Sequence, residues 1–485
     1  MSKEVPKTKA PKSSSRLSSK KIMTFPVSNS NAAGIDVGSR SHAASKGIGT
    51  DDSKEFGVFT ENLHELCQWL QSSGIKSVAM ESTGVYWKQL FLMLQSYGME
   101  VYLVNATYTK NIKSRKPSDL ADSQWIWKLH SVGLLPASYQ PNYFTEELRS
   151  YVRHRKRLIE GASRLINRMQ KCLVLMNIQL SVVLTDITGK SGQAIIQAIL
   201  DGERNGHKLA KLADPRVKAT KETLAKALTG FWKENHLFEL RQHWEMYHFH
   251  QKQIQAVENK IDVLLQKQVE KTGQNDLAYP PIDVSNAASN ENNDGENKSK
   301  PPKRKKKRTK NAPKFEVEKY AYQLSDGVDL LQINGVSFSF VLTFLSEVGM
   351  DLSQFPTSKH FVSWLCLCPN NKVSGGKVIS SKTKKNKHRL KQAFKDAAIA
   401  VAKNKDDALA VFYRRMAATK GKGTAITATA RKLAIIVFNM VEKGQPYQPQ
   451  KLEDHAKQVR SRRIKHIQRT INALNIEKDE LIFAQ

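Results

Sequence analysis

The sequence predicts an α/β domain, a long helical arm and a second domain that is mostly helical. Short apolar runs alternate with helical segments and polar breaks over residues 31–140. Two long stretches, 145–180 and 236–271, repeat apolar residues about every 3.6 positions, the period of an α-helix. Helical spacing dominates again over residues 321–445. A chain of 485 residues is long enough for two or three domains of this kind.

The chain is strongly basic, with 77 Lys and Arg residues against 45 Asp and Glu residues and a formal net charge of +32. Such an excess destabilises a compact free protein by self-repulsion, so it indicates a polyanionic partner. Nucleic acid is the first candidate, and an anionic membrane surface is the second. No run of eighteen apolar residues occurs, so no membrane-spanning helix is expected.

The two ends of the chain are predicted to lie outside the compact domains. Residues 1–30 form a basic arm that lacks the apolar core of a secretory signal, and we expect this arm to be disordered. Residues 446–485 form a basic tail with some helical character. The four cysteines contain no CxxC pair, so structural cysteines in a reducing cytoplasm are expected.

The first domain opens with three strand candidates that have no helix between them, "AAGIDVGS", "SHAASKGIG" and "KEFGVFT". The helical segments "ENLHELCQWLQSSG" and "YWKQLFLMLQSYG" then alternate with the strand candidates "KSVAMES" and "MEVYLVN". The opening trio is typical of an antiparallel meander. The later alternation predicts parallel strands that are joined by crossover helices.

The arm, residues 141–271, contains the two long amphipathic stretches, and their spacing predicts an antiparallel coiled coil. An ordinary helical bundle with solvated charges is the alternative. Basic residues crowd the polar positions of the first stretch, where we expect them to meet phosphates. They are Arg153, Arg155, Lys156, Arg157, Arg164 and Arg168.

A polar linker of low complexity, residues 272–320, separates the arm from the second domain, residues 321–445. Within this linker, residues 298–310 hold nine basic residues in thirteen. A segment of this composition cannot form a core, so we expect it to be disordered. A nucleic-acid tether and a solubilising spacer both fit such a segment, and counterion release favours the tether.

Four carboxylates stand at the ends of predicted elements in the first domain. Asp36 ends the first strand, Glu81 ends the strand "KSVAM", and Asp119 and Asp122 share one face at the head of a helix. Side chains beyond the carboxyl ends of parallel strands face the same crevice. Four like charges that converge there need a divalent cation, and oxygen ligands favour Mg²⁺ or Mn²⁺. Taken singly, Asp36 is also explained as a turn residue and Asp119 as an N-cap.

The segment "NKVSGGKVIS", residues 371–380, places Ser374 before two glycines and between Lys372 and Lys377. Glycines let a phosphate approach the backbone, and lysines attract the phosphate and favour an alkoxide. No histidine stands at a motif spacing to act as a base. Composition alone therefore favours a flexible phosphate-contacting loop over a nucleophile.

These motifs together resemble the IS110-family transposases. "GIDVGS", "MESTGVYW" and "SDLADSQWIWKLH" resemble the N-terminal module of that family, which is RuvC-like and of the Asp-Glu-Asp-Asp type. "INGVSFSFVLTFLSEVG" and "NKVSGGKVISSKTKKNKHRLKQAF" resemble its C-terminal transposase module. The resemblance covers about residues 31–180 and 321–445, and the order and spacing of several motifs make it specific.

The resemblance implies an RNase H-like fold for the first domain and a mostly helical second domain. It implies that Asp36, Glu81, Asp119 and Asp122 bind Mg²⁺ or Mn²⁺. It implies that Ser374 is the nucleophile and forms a transient covalent bond to a DNA phosphate. Composition alone favours a phosphate-contacting loop, so the resemblance reverses that preference. In this family a structured RNA guides the choice of donor and target DNA. The active site combines modules of two subunits, so a homo-oligomer, a dimer or a tetramer, is implied.

The expected function is DNA recombination by the transposase of an insertion sequence, in the cytoplasm of a bacterium or archaeon and associated with the nucleoid. No membrane partner is expected. The first alternative is a metal-dependent hydrolytic nuclease, similar to a junction resolvase, that uses the carboxylates and water without a serine nucleophile. The second is a nucleic-acid chaperone without catalysis, in which the carboxylates only cap helices. Dependence on Mg²⁺ separates the chaperone from both enzymes, and a trapped phosphoserine separates the enzymes.

Overall fold

A computed structural model describes residues 27–82, 84–109, 118–274, 277–279, 306, 308–404, 407–448 and 452–473. The chain divides into two compact units, Met1–Gln140 and Pro141–Gln485. Nearly all of the expected N-terminal arm and most of the expected linker lie outside the described residues.

The first unit is built on a five-stranded sheet. Its strands are β1 (Ala32–Val37), β2 (Ser41–Ser45), β3 (Ser53–Gly57), β4 (Ser77–Glu81) and β5 (Glu100–Val104), in the order β3-β2-β1-β4-β5. The first three strands pair antiparallel, whereas β4 pairs parallel with both β1 and β5. The predicted meander and the predicted parallel strands are both confirmed. This mixed sheet fits the RNase H-like fold that the resemblance implies.

Two helices, α1 (Thr60–Ser72) and α2 (Trp87–Ser96), cover one face of this sheet. Side chains alternate between the two faces along a strand, and alternate residues of β1 and β4 point into this layer. Ile35 and Met80 are fully buried there, together with apolar residues of both helices. This layer is the main core of the first unit.

Helix α4 (Asp119–Ser131) lies across the opposite face, after the short helix α3 (Ala106–Thr109). Its Ile126 is buried against apolar residues of β4 and β5. The fit against β1 is very close, because a Cβ on Gly34 would lie 2.1 Å from the backbone nitrogen of Trp127. Glycine at position 34 therefore lets α4 pack directly on the central strand.

Hydrogen bonds at the end of α4 fix its direction. The carbonyl of Ser131 accepts from the backbone nitrogens of Ser28 and Asn29, shortly before β1. The Nε2 atom of His130 lies 2.8 Å from the hydroxyl of Ser77, the first residue of β4. The last turn of α4 therefore lies at the amino ends of β1 and β4, and its first turn lies toward their carboxyl ends.

Replacing Gly34 by Ala should destabilise the first unit. The added methyl group would overlap the backbone of Trp127, which cannot rotate away as a flexible side chain does. Overpacking costs about 1–3 kcal/mol, and a collision with backbone belongs at the upper end of that range. Urea denaturation measures the change in the free energy of unfolding. Gly423→Ala is the control, because a Cβ there meets nothing within 4 Å, and an unchanged midpoint for Gly34→Ala would contradict the close packing.

The second unit begins with two long helices, α5 (Tyr143–Leu175) and α10 (Glu234–Thr272), close to the two amphipathic stretches of the sequence. Helix α5 ends before the expected boundary at 180, because the chain turns through Asn177 at a φ of 56°. Four short helices connect the long ones: α6 (Leu180–Val183), α7 (Lys190–Leu200), α8 (Gly206–Lys211) and α9 (Lys221–Ala227).

Contacts between side chains show that α5 and α10 run antiparallel. Arg155 of α5 bonds to Glu258 of α10, whereas Cys172 lies 3.6 Å from Glu239. Residues late in α5 therefore meet residues early in α10. Apolar residues of both helices are buried with those of α7 in one core. The antiparallel pairing is confirmed, and packing as a coiled coil stays a prediction.

Three arginines of α5 are bonded to buried glutamates. Arg153 donates two hydrogen bonds, of 3.0 and 2.7 Å, to the carboxylate of Glu347, and Arg149 donates to the carbonyl of the same residue. Arg155 is 6% exposed and donates to the carboxylate of Glu258 at 2.8 Å. The expectation that Arg155 meets phosphates is wrong, because this buried guanidinium neutralises a buried carboxylate. The side chain of Arg153 is 39% exposed, and its contact with phosphates stays a prediction. The remaining basic residues of that set are exposed: Lys156, Arg157, Arg164 and Arg168.

The rest of the second unit is mostly helical, as expected. Phe338, Phe344, Phe361 and Phe394 are fully buried at its centre. The helices are α11 (Val317–Gln323), α12 (Phe338–Glu347), α13 (Ser358–Trp364), α14 (Arg389–Ala402), α15 (Ala408–Lys420), α16 (Lys422–Lys443) and α17 (Leu452–Ala473), with 3₁₀ turns at Thr50–Asp52 in the first unit and Leu330–Gln332 here.

Among the described helices, α16 is the one long and apolar enough to cross a membrane by length and composition. It packs against α13, α14 and α15. Its side chains Leu433, Ala434 and Val437 are fully buried inside the second unit. We therefore interpret α16 as the core helix of this unit.

The end of the basic run 298–310 is folded. Arg308 donates to two backbone carbonyls and to the buried carboxylate of Glu318. Its guanidinium also lies 4.1 Å from the ring centroid of Phe338. The expectation of disorder is wrong at this end, because Arg308 neutralises a carboxylate that folding has removed from water.

Candidate active site

Asp36 and Glu81 occupy neighbouring positions on the two central strands. They directly follow Ile35 and Met80, which are paired in the parallel register of β1 and β4. Because side chains alternate along a strand, Asp36 and Glu81 point away from the Ile35–Met80 core and toward the layer of α4. Asp36 is half-buried, and Glu81 is 4% exposed. The two carboxylates share one face and one end of the sheet.

Glu81 is held by Thr109, the last residue of α3. The Thr109 hydroxyl donates to Oε2 of Glu81 at 2.9 Å. The Thr109 carbonyl accepts from Nε1 of Trp125 in α4 at 3.1 Å. One residue thus ties the buried carboxylate to the helix that carries the other two acids. Thr109 was not predictable as a positioning residue, since nothing in "NATYTK" marks it.

Asp119 and Asp122 both lie in the first turn of α4, on one helical face. Ser118 is the N-cap of this helix, and its hydroxyl accepts from the backbone nitrogen of Ala121 at 3.2 Å. The alternative that Asp119 is the N-cap is therefore wrong. Asp119 is exposed and Asp122 is half-buried. The positive end of the helix dipole stabilises carboxylates at these positions.

The four carboxylates lie at the same end of the first unit, because the first turn of α4 faces the carboxyl ends of β1 and β4. Their oxygen donors are those that Mg²⁺ and Mn²⁺ prefer, and the buried Glu81 provides a donor that is already withdrawn from water. Within the described part of the chain, no three His, Cys, Asp or Glu side chains are grouped as ligands of one metal ion. The chemistry of the donor set fits a divalent cation. Coordination of one metal ion by all four carboxylates stays a prediction.

Ser374 lies in the second unit, at the end of strand β6 (Lys372–Ser374), which pairs antiparallel with β7 (Lys377–Ser380). Gly375 and Gly376 connect the strands with φ values of 53° and 74°. Two successive positive φ values are typical of the type I′ turn of a tight hairpin, which explains both glycines. The flexible loop expected from composition is therefore a β-hairpin.

The hairpin exposes Ser374 to solvent. Lys377 is its direct cross-strand partner, so a lysine stands beside the hydroxyl. A Cβ on Gly375 or Gly376 would meet nothing within 4 Å, so the space around the tip is open. Val373 and Val378 form the next pair and are 58% and 59% exposed. A phosphate can approach Ser374 without any rearrangement of the hairpin.

Two family models match the chain. A model for the DEDD domain of IS110 elements, described as a transposase, matches residues 33–178, which contain the four carboxylates. A model described as the transposase IS116/IS110/IS902 family matches residues 329–414, which contain Ser374. None of the curated proteins compared with the chain matches it. The chain therefore belongs to the IS110 family of transposases and is an enzyme of that kind.

Proposed function

We propose that this transposase cuts and rejoins DNA strands through a transient phosphoserine bond at Ser374, with the assistance of a divalent metal. The observation that carries the proposal is the exposed hairpin, where Ser374 stands beside Lys377 at a tip with open space around it. Two Gly residues keep the turn narrow, so a phosphodiester can reach the hydroxyl from solvent.

In the proposed reaction, the Ser374 oxygen attacks the phosphorus, and a bond from phosphorus to one nucleoside oxygen breaks. The ammonium group of Lys377 favours both the incoming phosphate and the serine alkoxide. The covalent intermediate keeps the energy of the broken bond. A second nucleoside hydroxyl can therefore displace the serine and reseal the strand without ATP.

Asp36, Glu81, Asp119 and Asp122 would hold Mg²⁺ or Mn²⁺ in the first unit. When bound, the metal supplies charge stabilisation at phosphate oxygens during strand transfer. The hydrogen bond from Thr109 fixes the orientation of Glu81 and prepares it as a ligand. The placement of all four acids at the carboxyl ends of β1 and β4 supports this part of the proposal.

We further propose that the partners are donor DNA, target DNA and a structured guide RNA. The net charge of +32 supports partners that bring many phosphates. Base pairing with the RNA would supply sequence choice, while the protein binds backbone. The acids and Ser374 belong to different compact units, and we propose that the active site joins the acidic unit of one subunit to the hairpin of another. A dimer or tetramer in the cytoplasm, associated with the nucleoid, follows from this arrangement.

Incubation of the protein with Mg²⁺, the flanking RNA of the element and end-labelled donor and target DNA tests the proposal. On a denaturing protein gel, the label should migrate with the protein, and a chelator should abolish that band. Free cleaved DNA without a protein-linked band would instead support a hydrolytic nuclease that uses the four carboxylates and water. Equal labelling with and without the chelator would overturn the metal requirement.

A further inference from the structure

A cavity of about 640 Å³ opens in the second unit, between α5 and the segment that joins the serine hairpin to α14. Five lysines line it: Lys384, Lys385 and Lys387 of that segment, and Lys391 and Lys395 of α14. Arg389 and, from α5, Lys156 complete the cationic wall. None of the described residues that line the cavity is Asp or Glu. We call this space the basic cavity.

The cations of the basic cavity differ from the arginines nearby on α5. Arg149, Arg153 and Arg155 are each bonded to a buried glutamate. In the described part of the chain, no ion pair joins any cation of the basic cavity to a carboxylate. Several like charges held together without counter-charges repel one another, so the free protein favours the arrival of an anion.

Lys391 is the clearest sign of a missing anion. It is 7% exposed, and its ammonium group donates to the backbone carbonyl of Lys384 at 3.1 Å. Burial lowers the pKa of Lys391, Cys366 opposes this shift, and the neighbouring Lys395 adds to it. A lysine withdrawn from water is costly unless an anion compensates it.

His388 lies in the same wall and adds to this argument. Its Nδ1 atom is buried, with no hydrogen-bond partner among the described residues. Burial lowers the pKa of His388 to about 4, and Arg149, Arg153 and Lys391 lower it as well, against the opposing effect of Glu347. The imidazole is therefore uncharged at neutral pH and does not add to the repulsion among the nearby cations.

We propose that the basic cavity binds a backbone phosphate of the DNA strand that Ser374 attacks. The cavity begins at Thr383, which pairs with Pro369 at the base of the serine hairpin. Ser374 is the fifth residue after Pro369, at most about 17 Å away in an extended strand. Each DNA strand carries a phosphate about every 3.4 Å along the helix axis, so a phosphate at the near edge of the cavity lies within about five nucleotides of the scissile one. This assignment rests on the proposed role of Ser374, and it names a second contact with the same strand.

The first test is the salt dependence of binding to a short duplex DNA of random sequence. The triple variant Lys384→Gln, Lys385→Gln, Lys387→Gln removes three exposed lysines of the cavity wall. The slope of log Kobs against log salt should become shallower by about 0.9, the value for one lost phosphate contact. The control is Lys260→Gln, Lys267→Gln, Lys271→Gln on the exposed face of α10, and it should leave the slope unchanged. Equal slopes for parent and cavity variant, or an equal loss in the control, would overturn the proposal.

Lys391→Met gives a second, independent readout. Removing a buried ammonium group that lacks a counter-anion should raise the midpoint of thermal unfolding of the free protein. The same change should weaken the binding of duplex DNA several-fold. If Lys391 had only a structural role, Lys391→Met would lower the midpoint of thermal unfolding instead. That outcome would count against the cavity. A shallower salt slope seen with RNA of equal length, but not with DNA, would overturn the assignment to DNA.

The position of the phosphate is tested in the covalent complex. A single neutral methylphosphonate is moved along the cleaved strand, and the yield of the protein-linked product is measured. A minimum is expected within about five nucleotides of the linked phosphorus, and it should disappear in the triple variant. If the parent protein formed no covalent product, the role of Ser374 would be refuted. The salt dependence of DNA binding would still test the cavity. A covalent product with no such minimum would refute the cavity and leave the nucleophile standing.

Discussion

Ser374→Ala should abolish the protein–DNA adduct. Alanine keeps the backbone of the hairpin and removes the one oxygen that can form the proposed bond to phosphorus. Loss of a nucleophile costs at least about a thousandfold in rate, because the remaining groups only bind and polarise the phosphate. The measurement is the amount of labelled DNA that migrates with the protein on a denaturing gel. Binding of duplex DNA should be unchanged, because an exposed hydroxyl adds little to the electrostatic attraction.

Ser380→Ala is the matched control for this variant. Ser380 ends β7, the other strand of the same hairpin. Both variants therefore replace one serine of the hairpin by alanine. It should retain the adduct. A protein-linked band in Ser374→Ala would move the nucleophile elsewhere. Free cleaved DNA from Ser374→Ala at the parental rate would support hydrolysis by water.

Asp36→Asn should remove strand transfer and keep nucleic-acid binding. The amide has the shape of the carboxylate but lacks the charge that a divalent cation requires. Metal stabilisation of a phosphoryl transition state supplies several kcal/mol, and roughly 1.4 kcal/mol corresponds to a tenfold change in rate. The expected loss is therefore about a hundredfold or more. The readout is recombinant product as a function of Mg²⁺ and Mn²⁺ concentration.

Asp51→Asn is the control for Asp36→Asn, because Asp51 is an exposed carboxylate of the same unit. It makes the same chemical change away from the carboxyl ends of β1 and β4. Its recombination activity should equal that of the parent. Parental strand transfer by Asp36→Asn would refute the metal site, and lost DNA binding in that variant would point to a structural role for Asp36.

The arrangement of the first unit follows from local patterns in the sequence. Three strands without a helix between them are typical of a meander, and the later alternation favours parallel pairing. The acids Asp36 and Glu81 were predictable as strand-end residues for the same reason. The close contact at Gly34 was not predictable, since it depends on which face of the sheet receives α4. The role of Thr109 depends on that same packing.

Charge patterns were the least reliable guide to the second unit. Arg153, Arg155 and Arg308 belong to basic runs that resemble solvated surfaces, yet each is bonded to a glutamate. The sequence separations are 194, 103 and 10 residues. Which cations find such a partner depends on tertiary packing. The hairpin at Ser374 did carry a local signal, because two glycines between short β-branched segments are typical of a type I′ turn.

The ion pairs between α5 and α12 also set the mechanical behaviour of the second unit. Arg149 and Arg153 clamp the end of α12, whose Phe340 stacks edge-on against Phe394 of α14 at 4.9 Å. The serine hairpin leads into α14, so a continuous series of contacts connects the hairpin to α5 through α12. From Arg153 to the end of α5 the helix measures about 33 Å. A tilt of α5 by roughly 10° about Glu347 would therefore displace that end by about 6 Å.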